Sequence, residues 1–400
     1  MSTPEANLLK IEKNPNIYGI SKFFMIAVGL WKLPLFKNPI LQKLYYLYYM
    51  SIQTIYLLYN LSMIIKVTEI SLAPSNSQNV FGLISLASLI AEINFKIIVF
   101  RKNGIPDMFK YIIEDEKDIF QIKNNNQDIM YSYYEQTKFY KMTSTVQICT
   151  TVISVYFYII FNVFKIVTGK LEPNENFMYE LWLPFDINGN GHIMVIFKLL
   201  LSQSGILFNC ASQVALQSLM IYVTAHIEIL QIRLRNVFKN GQSTGKHLNK
   251  NLYQLIERHQ FLNEFVKNLN DSVKSIILLE FVLNSVNLAA GMVQIITAQS
   301  VIEIIFSVIY LVLLISQLFI LAWSANEISI QSSNISNAIY ESNWMDQSES
   351  IKKTMLIMMM RAQKPLSLTI GPFGPMNLEA GLMTLKGAYT YAGVMRQTYT

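Results

Sequence analysis

Long apolar runs separated by polar, charged stretches set the pattern of this chain. Seven runs reach the length of about 20 residues that a helix needs to cross hydrocarbon. They are Leu44–Ile65, Val80–Phe100, Thr143–Val167, Ile193–Thr224, Ser275–Ala298, Val301–Asn326 and Met376–Gln397. The runs are continuous, unlike the short alternating segments of a transmembrane barrel, so the expectation is an all-α membrane protein with seven transmembrane helices. The fourth run is long enough to continue as a helix beyond the bilayer. Before the fifth, Leu252, Leu255, Ile256, Leu262, Phe265, Val266 and Leu269 recur near helical spacing. An apolar stripe of that kind needs a partner, either within the chain or on another subunit. Near the end, Ser350–Leu368 predicts an amphipathic helix that stops at Gly371, Pro372, Gly374 and Pro375 before the last run begins. The seventh helix is therefore expected to be split, one part outside the bilayer and one part spanning it.

Charge placement orients this array. The chain is 52% hydrophobic and only 14% charged, against about 25% charged in soluble domains. Twenty-five of its 32 Lys and Arg residues fall in the segment up to Lys43 and in 101–141, 226–274 and 327–364, which alternate spans place on one side. The positive-inside rule makes that side cytoplasmic, with the N-terminus inside and the C-terminus outside. The expected division is a cytoplasmic segment 1–43, six spans with cytoplasmic extensions over 44–326, a cytoplasmic anchor region 327–375 and the seventh span with a short outer tail over 376–400. Because the basic residues segregate by loop, the +6 net charge reads as topology and not as a nucleic-acid footprint. Lys66, Lys96, Lys165, Lys198 and Lys386 lie in or at the ends of spans and are expected to snorkel. An inside N-terminus opposes the alternative of a G-protein-coupled receptor, as does the lack of a D-R-Y after span three and of an N-P-x-x-Y in span seven.

Catalytic chemistry finds little support. The four histidines show no metal-ligand spacing, and no nucleophile-elbow, zincin or P-loop pattern occurs, so neither an enzyme nor a cofactor is expected. Cys149 and Cys210 sit inside apolar runs and offer no disulfide framework. The polar start lacks the apolar core of a cleavable signal. Glu69, Glu92, Glu280 and Glu303 lie in or near span ends, where they either pair locally or form a proton relay. Asn284, Asn287, Gln294, Gln317 and Lys386 are expected to face protein or water. The outer loop 168–192, with Glu172, Glu175, Glu180 and Asp186, is a solvated lid or a vestibule that concentrates cations.

In the seventh run Met383, Gly387, Thr390, Val394 and Gln397 recur at spacings of four and three, which places them on one helical stripe. Small, polar and apolar residues together suit a narrow water-filled path with a hydrophobic constriction. They equally suit close helix packing, for which Gly381, Gly387 and Gly393 qualify. One span cannot line a pore, so the pore reading requires an oligomer, in the usual case a closed ring.

The C-terminal residues carry a resemblance. Met360-Arg361-Ala362-Gln363-Lys364-Pro365-Leu366, Leu368-Thr369-Ile370-Gly371, Phe373, Leu378-Glu379, Leu385-Lys386, Tyr389-Thr390-Tyr391 and Arg396-Gln397 resemble the signature of insect odorant receptors. Leu183-Pro184-Phe185-Asp186 in the outer loop is also similar. Thr390-Tyr391 followed by Gln397 resembles the related gustatory receptor motif as well, which keeps a gustatory channel as an alternative; Thr398 stands where that motif has Phe. The resemblance implies a plasma-membrane, odorant-gated, non-selective cation channel in olfactory neuron dendrites, a tetramer in which this chain is a tuning subunit beside a shared co-receptor. It implies a gate at Val394, with Gln397, Thr390 and Gly387 on the same lining. It also implies a pocket for a small hydrophobic odorant in the outer half of spans two, three, four and six. There the sequence offers Phe81, Ile84, Ser85 and Ser88, then Tyr156, Phe157, Ile160 and Phe164, then Phe197 and Leu201, and finally Phe306 and Tyr310. Membrane lipids are the remaining expected partner.

Overall fold

The computed structural model describes residues 16–31, 38–72, 77–102, 104–121, 127–169, 181–182, 191–238, 245–298 and 300–399. Their helices are α1 (Gly19–Ala27), α2 (Pro39–Leu72), α3 (Ser77–Lys102), α4 (Ile105–Gln121), α5 (Gln127–Val167), α6 (Gly191–Asn236), α7 (Gly245–Thr297), α8 (Val301–Tyr340), α9 (Glu349–Ala362) and α10 (Leu378–Tyr399). Each of the seven runs lies on one of α2, α3, α5, α6, α7, α8 and α10. Among the described residues, α2, α5, α6, α7 and α8 are long and apolar enough to cross a membrane. The seventh run is more polar, and α10 lies outside that group.

α6 is the axis of the bundle. It packs against α5 and α8, and also against α1 and α7, and most of its residues from Phe208 to Leu230 are buried. Inside a bilayer burial against lipid offers no hydrophobic gain, so packing and interhelical hydrogen bonds hold such helices together. The antiparallel α5–α6 seam shows both. Thr143 and Ser144 bond to Gln217, and two turns along α5 Thr151 accepts from Asn209 at 3.4 Å and from Gln317 of α8 at 3.4 Å.

The amphipathic helix expected on the cytoplasmic side and the fifth apolar run are one unbroken 53-residue helix, α7. Leu252, Leu255, Leu262, Phe265, Val266 and Leu269 of its stripe are all buried in this chain, so the stripe packs internally. Two lysines expected to snorkel turn inward instead: Lys96 and Lys198 are buried.

The expected amphipathic helix ends six residues earlier than Leu368. α9 stops at Ala362 because Pro365 restrains the residue before it and supplies no N–H. The chain then folds back on itself. Met376 N–H donates to Leu368 O at 2.8 Å, Ile370 N–H to Gly374 O at 2.9 Å, and Thr369 bridges Pro375. Gly371 (φ 52°) and Gly374 (φ 127°) take backbone conformations that side chains disfavour. A Cβ at Gly371 would also meet Leu278 Cδ2 at 2.9 Å. The hairpin is pinned from two sides: Asn270 Oδ1 of α7 accepts from Thr369 N–H at 2.8 Å, and Ser332 Oγ of α8 accepts from Leu366 N–H at 2.8 Å. Asn377 Oδ1 then caps α10 through Ala380 N–H at 2.8 Å.

Candidate functional site

The expected pocket residues separate into three groups. Tyr158 and Phe306 stack at 4.9 Å, and Phe306 lies parallel to Tyr310 at 6.4 Å, forming an aromatic cluster between α5 and α8. Gly291 lets α7 approach it; a Cβ there would stand 2.8 Å from Leu311 Cδ2 and 3.8 Å from Tyr310 Cδ1. One turn away on α7, Asn287 Oδ1 accepts from Ser88 Oγ at 2.7 Å. Leu201 is buried and Phe157 half-buried. In the second group, Ile160, Phe164 and Phe197 are exposed on the outside of the single chain, as is Tyr156, whose hydroxyl donates to Gln203 at 3.1 Å. The side chains of Phe81, Ile84 and Ser85 form the third group and lie outside the described residues.

Tyr158 and Gly291 were missed from sequence. The signal for Tyr158 was present: it continues the inward stripe Gln147, Thr151, Ser154, Asn162, at helical spacing, whereas Phe157 sits about 100° around the helix. An aromatic cluster flanked by a hydroxyl–amide pair can bury an apolar molecule and orient one polar group on it.

α10 presents two faces. Gly381, Ala388 and Ala392 are buried, where the helix packs on α7 and α8. A Cβ at Gly381 would stand 3.6 Å from Ala322 Cβ and 3.7 Å from Phe319 Cε1, while one at Gly387 or Gly393 would meet nothing within 4 Å. The small-residue seam thus runs through the alanines and Gly381. The stripe Met383, Gly387, Thr390, Val394 lies on the other face, with Val394 60% exposed and Thr390 exposed. The side chain of Gln397 falls outside the described residues.

A polar cluster lies on the side that the basic loops assign to the cytoplasm. Asp115 Oδ2 of α4 accepts from Tyr222 at 2.8 Å and from Arg258 at 2.8 Å, and His226 Nε2 lies 3.0 Å away. Arg258 also donates to Tyr111 at 2.7 Å, contacts His226 Nδ1 at 2.6 Å and covers the Phe261 ring. Burial alone would raise Asp115; the charges of His226 and Arg258 and the bonds from Tyr222 and Arg258 outweigh it and hold the carboxyl below its ordinary value.

Beside it, Glu116 accepts from Ile17 N–H at 2.9 Å and from the Tyr133 hydroxyl. This docks the segment 16–31, whose Ile17, Met25 and Trp31 are buried. Burial, with the charge of Asp115 adding to it, pushes Glu116 up to about 7 despite those two bonds. A carboxyl raised on folding stabilises fully below its unfolded value of 4.5 and loses that contribution as pH rises through about 7. Raising the pH from about 6 to about 8 should therefore cost on the order of 1 kcal/mol of stability through this group. Thermal unfolding of the purified chain checks this: Glu116→Gln should flatten the dependence, and an unchanged slope in that variant would sink the assignment.

No group of three or more His, Cys, Asp or Glu suited to a metal ion occurs among the described residues.

Several long apolar helices around a buried polar interior define a multi-pass membrane protein. The family model described as 7tm Odorant receptor matches residues 99–389, and the chain belongs to that family. Odorant receptor 10 of Aedes albopictus is 34% identical over 177 residues, covering 43% of this chain and 46% of that protein. Odorant receptor 30a of Drosophila melanogaster is 32% identical over 173 residues, covering 43% and 45%. The chain thus spans about half the length of the curated relatives it matches. The fold is that of the insect olfactory receptor OR5 from Machilis hrabei, solved in complex with eugenol, with a TM-score of 0.81 and 18% identity over 96% of this chain and 97% of that one.

Proposed function

We propose that this chain is a tuning subunit of an odorant-gated, non-selective cation channel that assembles with a shared co-receptor. The observation that carries the reading is the exposed α10 stripe of Met383, Gly387, Thr390 and Val394, set opposite the buried face of Gly381, Ala388 and Ala392. A spanning helix that keeps a hydroxyl and a glycine away from its own bundle is suited to line a path shared with other subunits. Val394 is the constriction, and Thr390, Gly387 and Gln397 continue the lining. The odorant occupies the aromatic cluster of Tyr158, Phe306 and Tyr310, with Ser88 and Asn287 orienting it and Leu201 and Phe157 beside it. The eugenol bound to OR5 from Machilis hrabei, a small aromatic molecule carrying a hydroxyl, has the chemistry such walls would accept. Opening is a population shift: the ligand binds the open arrangement more tightly than the closed one.

Patch-clamp recording from cells expressing the chain with and without an insect odorant co-receptor, under a broad volatile panel, tests this. Odour-evoked cation currents are expected only in the co-expressing cells. An N-terminal tag accessible from outside would overturn the reading in favour of a G-protein-coupled receptor.

A further inference from the structure

Two carboxylates and one ammonium are sealed together between α3, α6 and α7. Lys96 Nζ lies 2.6 Å from Glu92 Oε1 and 3.1 Å from Glu280 Oε2, and Gln213 Nε2 of α6 donates to Glu280 Oε1 at 2.8 Å. Lys96, Glu92 and Glu280 are 1%, 3% and 0% exposed. Fully ionised, this group would carry one uncompensated negative charge in a low-dielectric interior, which strongly disfavours it. Glu280 is served by both Lys96 and Gln213. Glu92 meets Lys96 through Oε1 alone: its Oε2 is buried and bonds nothing, and neither does Gln213 Oε1. The antiparallel α3–α7 register set by Ser88–Asn287 and Lys96–Glu280 brings the buried amide of Asn284 level with Glu92.

Charged groups on the neighbouring α2 and α4 have partners of their own. On α2, Lys66 pairs with Glu69, and α2 meets Arg101 through Gln53 and Tyr49. On α4, Asp115 and Glu116 belong to the cytoplasmic cluster.

We propose that Glu92 is a proton-binding site. It carries one proton that makes the triad neutral, and Glu280 and Lys96 form the ion pair. The triad then ties α3, which bears Ser88, to α7, against which α10 packs. Charge counting gives the test. Glu92→Gln and Glu280→Gln each leave one carboxylate for Lys96, since the proton on Glu92 can leave in the second variant, so both should reach the cell surface within about twofold of the parent. The double variant strands the ammonium and should fall about tenfold or more; adding Lys96→Met should restore it. In parallel, infrared spectroscopy of the purified chain should show a protonated-carboxyl C=O stretch that is absent from Glu92→Gln. A Glu92→Gln chain as poorly expressed as the double variant would overturn the proposal. So would a spectrum unchanged by that substitution, the result expected if a metal cation balanced two ionised carboxylates.

Discussion

Val394→Ser should raise the ligand-free current about tenfold at unchanged surface abundance, a bias of about 1.4 kcal/mol toward the conducting state. A hydrophobic constriction closes by making the water column unstable, and a hydroxyl in place of the branched apolar side chain wets it. Val394 is the bulky apolar member of the exposed α10 stripe and lies one turn beyond Thr390, whose hydroxyl is already spent on Lys386 O at 3.0 Å. Leu382→Ser supplies the control. Leu382 is exposed on the same helix but sits about 100° around from Met383, off the stripe, and its substitution should leave the ligand-free current alone. Equal leak from both variants, or none from either, would remove Val394 from the gate. The recording is made with the co-receptor present and surface protein counted by biotinylation.

Arg258→Ala should cost the folded chain about 2–3 kcal/mol, below the full penalty for stranding one partner of a buried ion pair, because the two side chains stay 21% and 16% exposed. The guanidinium serves Asp115, Tyr111 and His226 at once and covers Phe261. Its loss leaves the Asp115 carboxylate facing only Tyr222 and His226 in a largely buried site. Arg235 makes the contrast: it meets Glu341 at 2.6 Å, but both side chains are more than a third exposed, and such pairs contribute under about 1 kcal/mol. Arg258→Ala is therefore expected to lose most of its surface protein and melt several degrees lower, with Arg235→Ala close to the parent. Equal effects of the two would show that the cluster is not what holds α4 to α6 and α7.

The seven runs were legible because hydrocarbon imposes a length and an apolar composition that any spanning helix must meet, and the α10 stripe was legible because helical spacing sorts residues by face without a partner. What escaped depended on other helices. Lys96 read as a snorkelling lysine because only the fold brings Glu280, 184 positions away, within reach of it. Glu92 and Glu280 were singled out, yet as separate span-end carboxylates. The stripe on α7 offered either an internal or an intersubunit partner, and the internal one was settled by α4 and α6, whose faces periodicity does not align. Phe157 and Tyr158 are adjacent aromatics, and only the phase of the Gln147–Thr151–Ser154–Asn162 stripe, which the fold turns inward, separates them. The sequence places 16–31 only within the expected cytoplasmic segment 1–43; in the fold two of its backbone N–H groups find Glu116 and Tyr140, distant acceptors that the local residues do not reveal.

The hairpin at residues 366–376 makes the start of α10 a fulcrum. Ser332, Asn270 and Leu278 hold that end against two long helices, and Gly371 leaves it no spare room. Any tilt of α10 therefore turns about its first residues, and displacement grows with distance along it. Val394 is sixteen residues beyond Leu378, roughly 24 Å at 1.5 Å per residue. A tilt of about 5° moves that side chain by about 2 Å while hardly moving Gly381 at all.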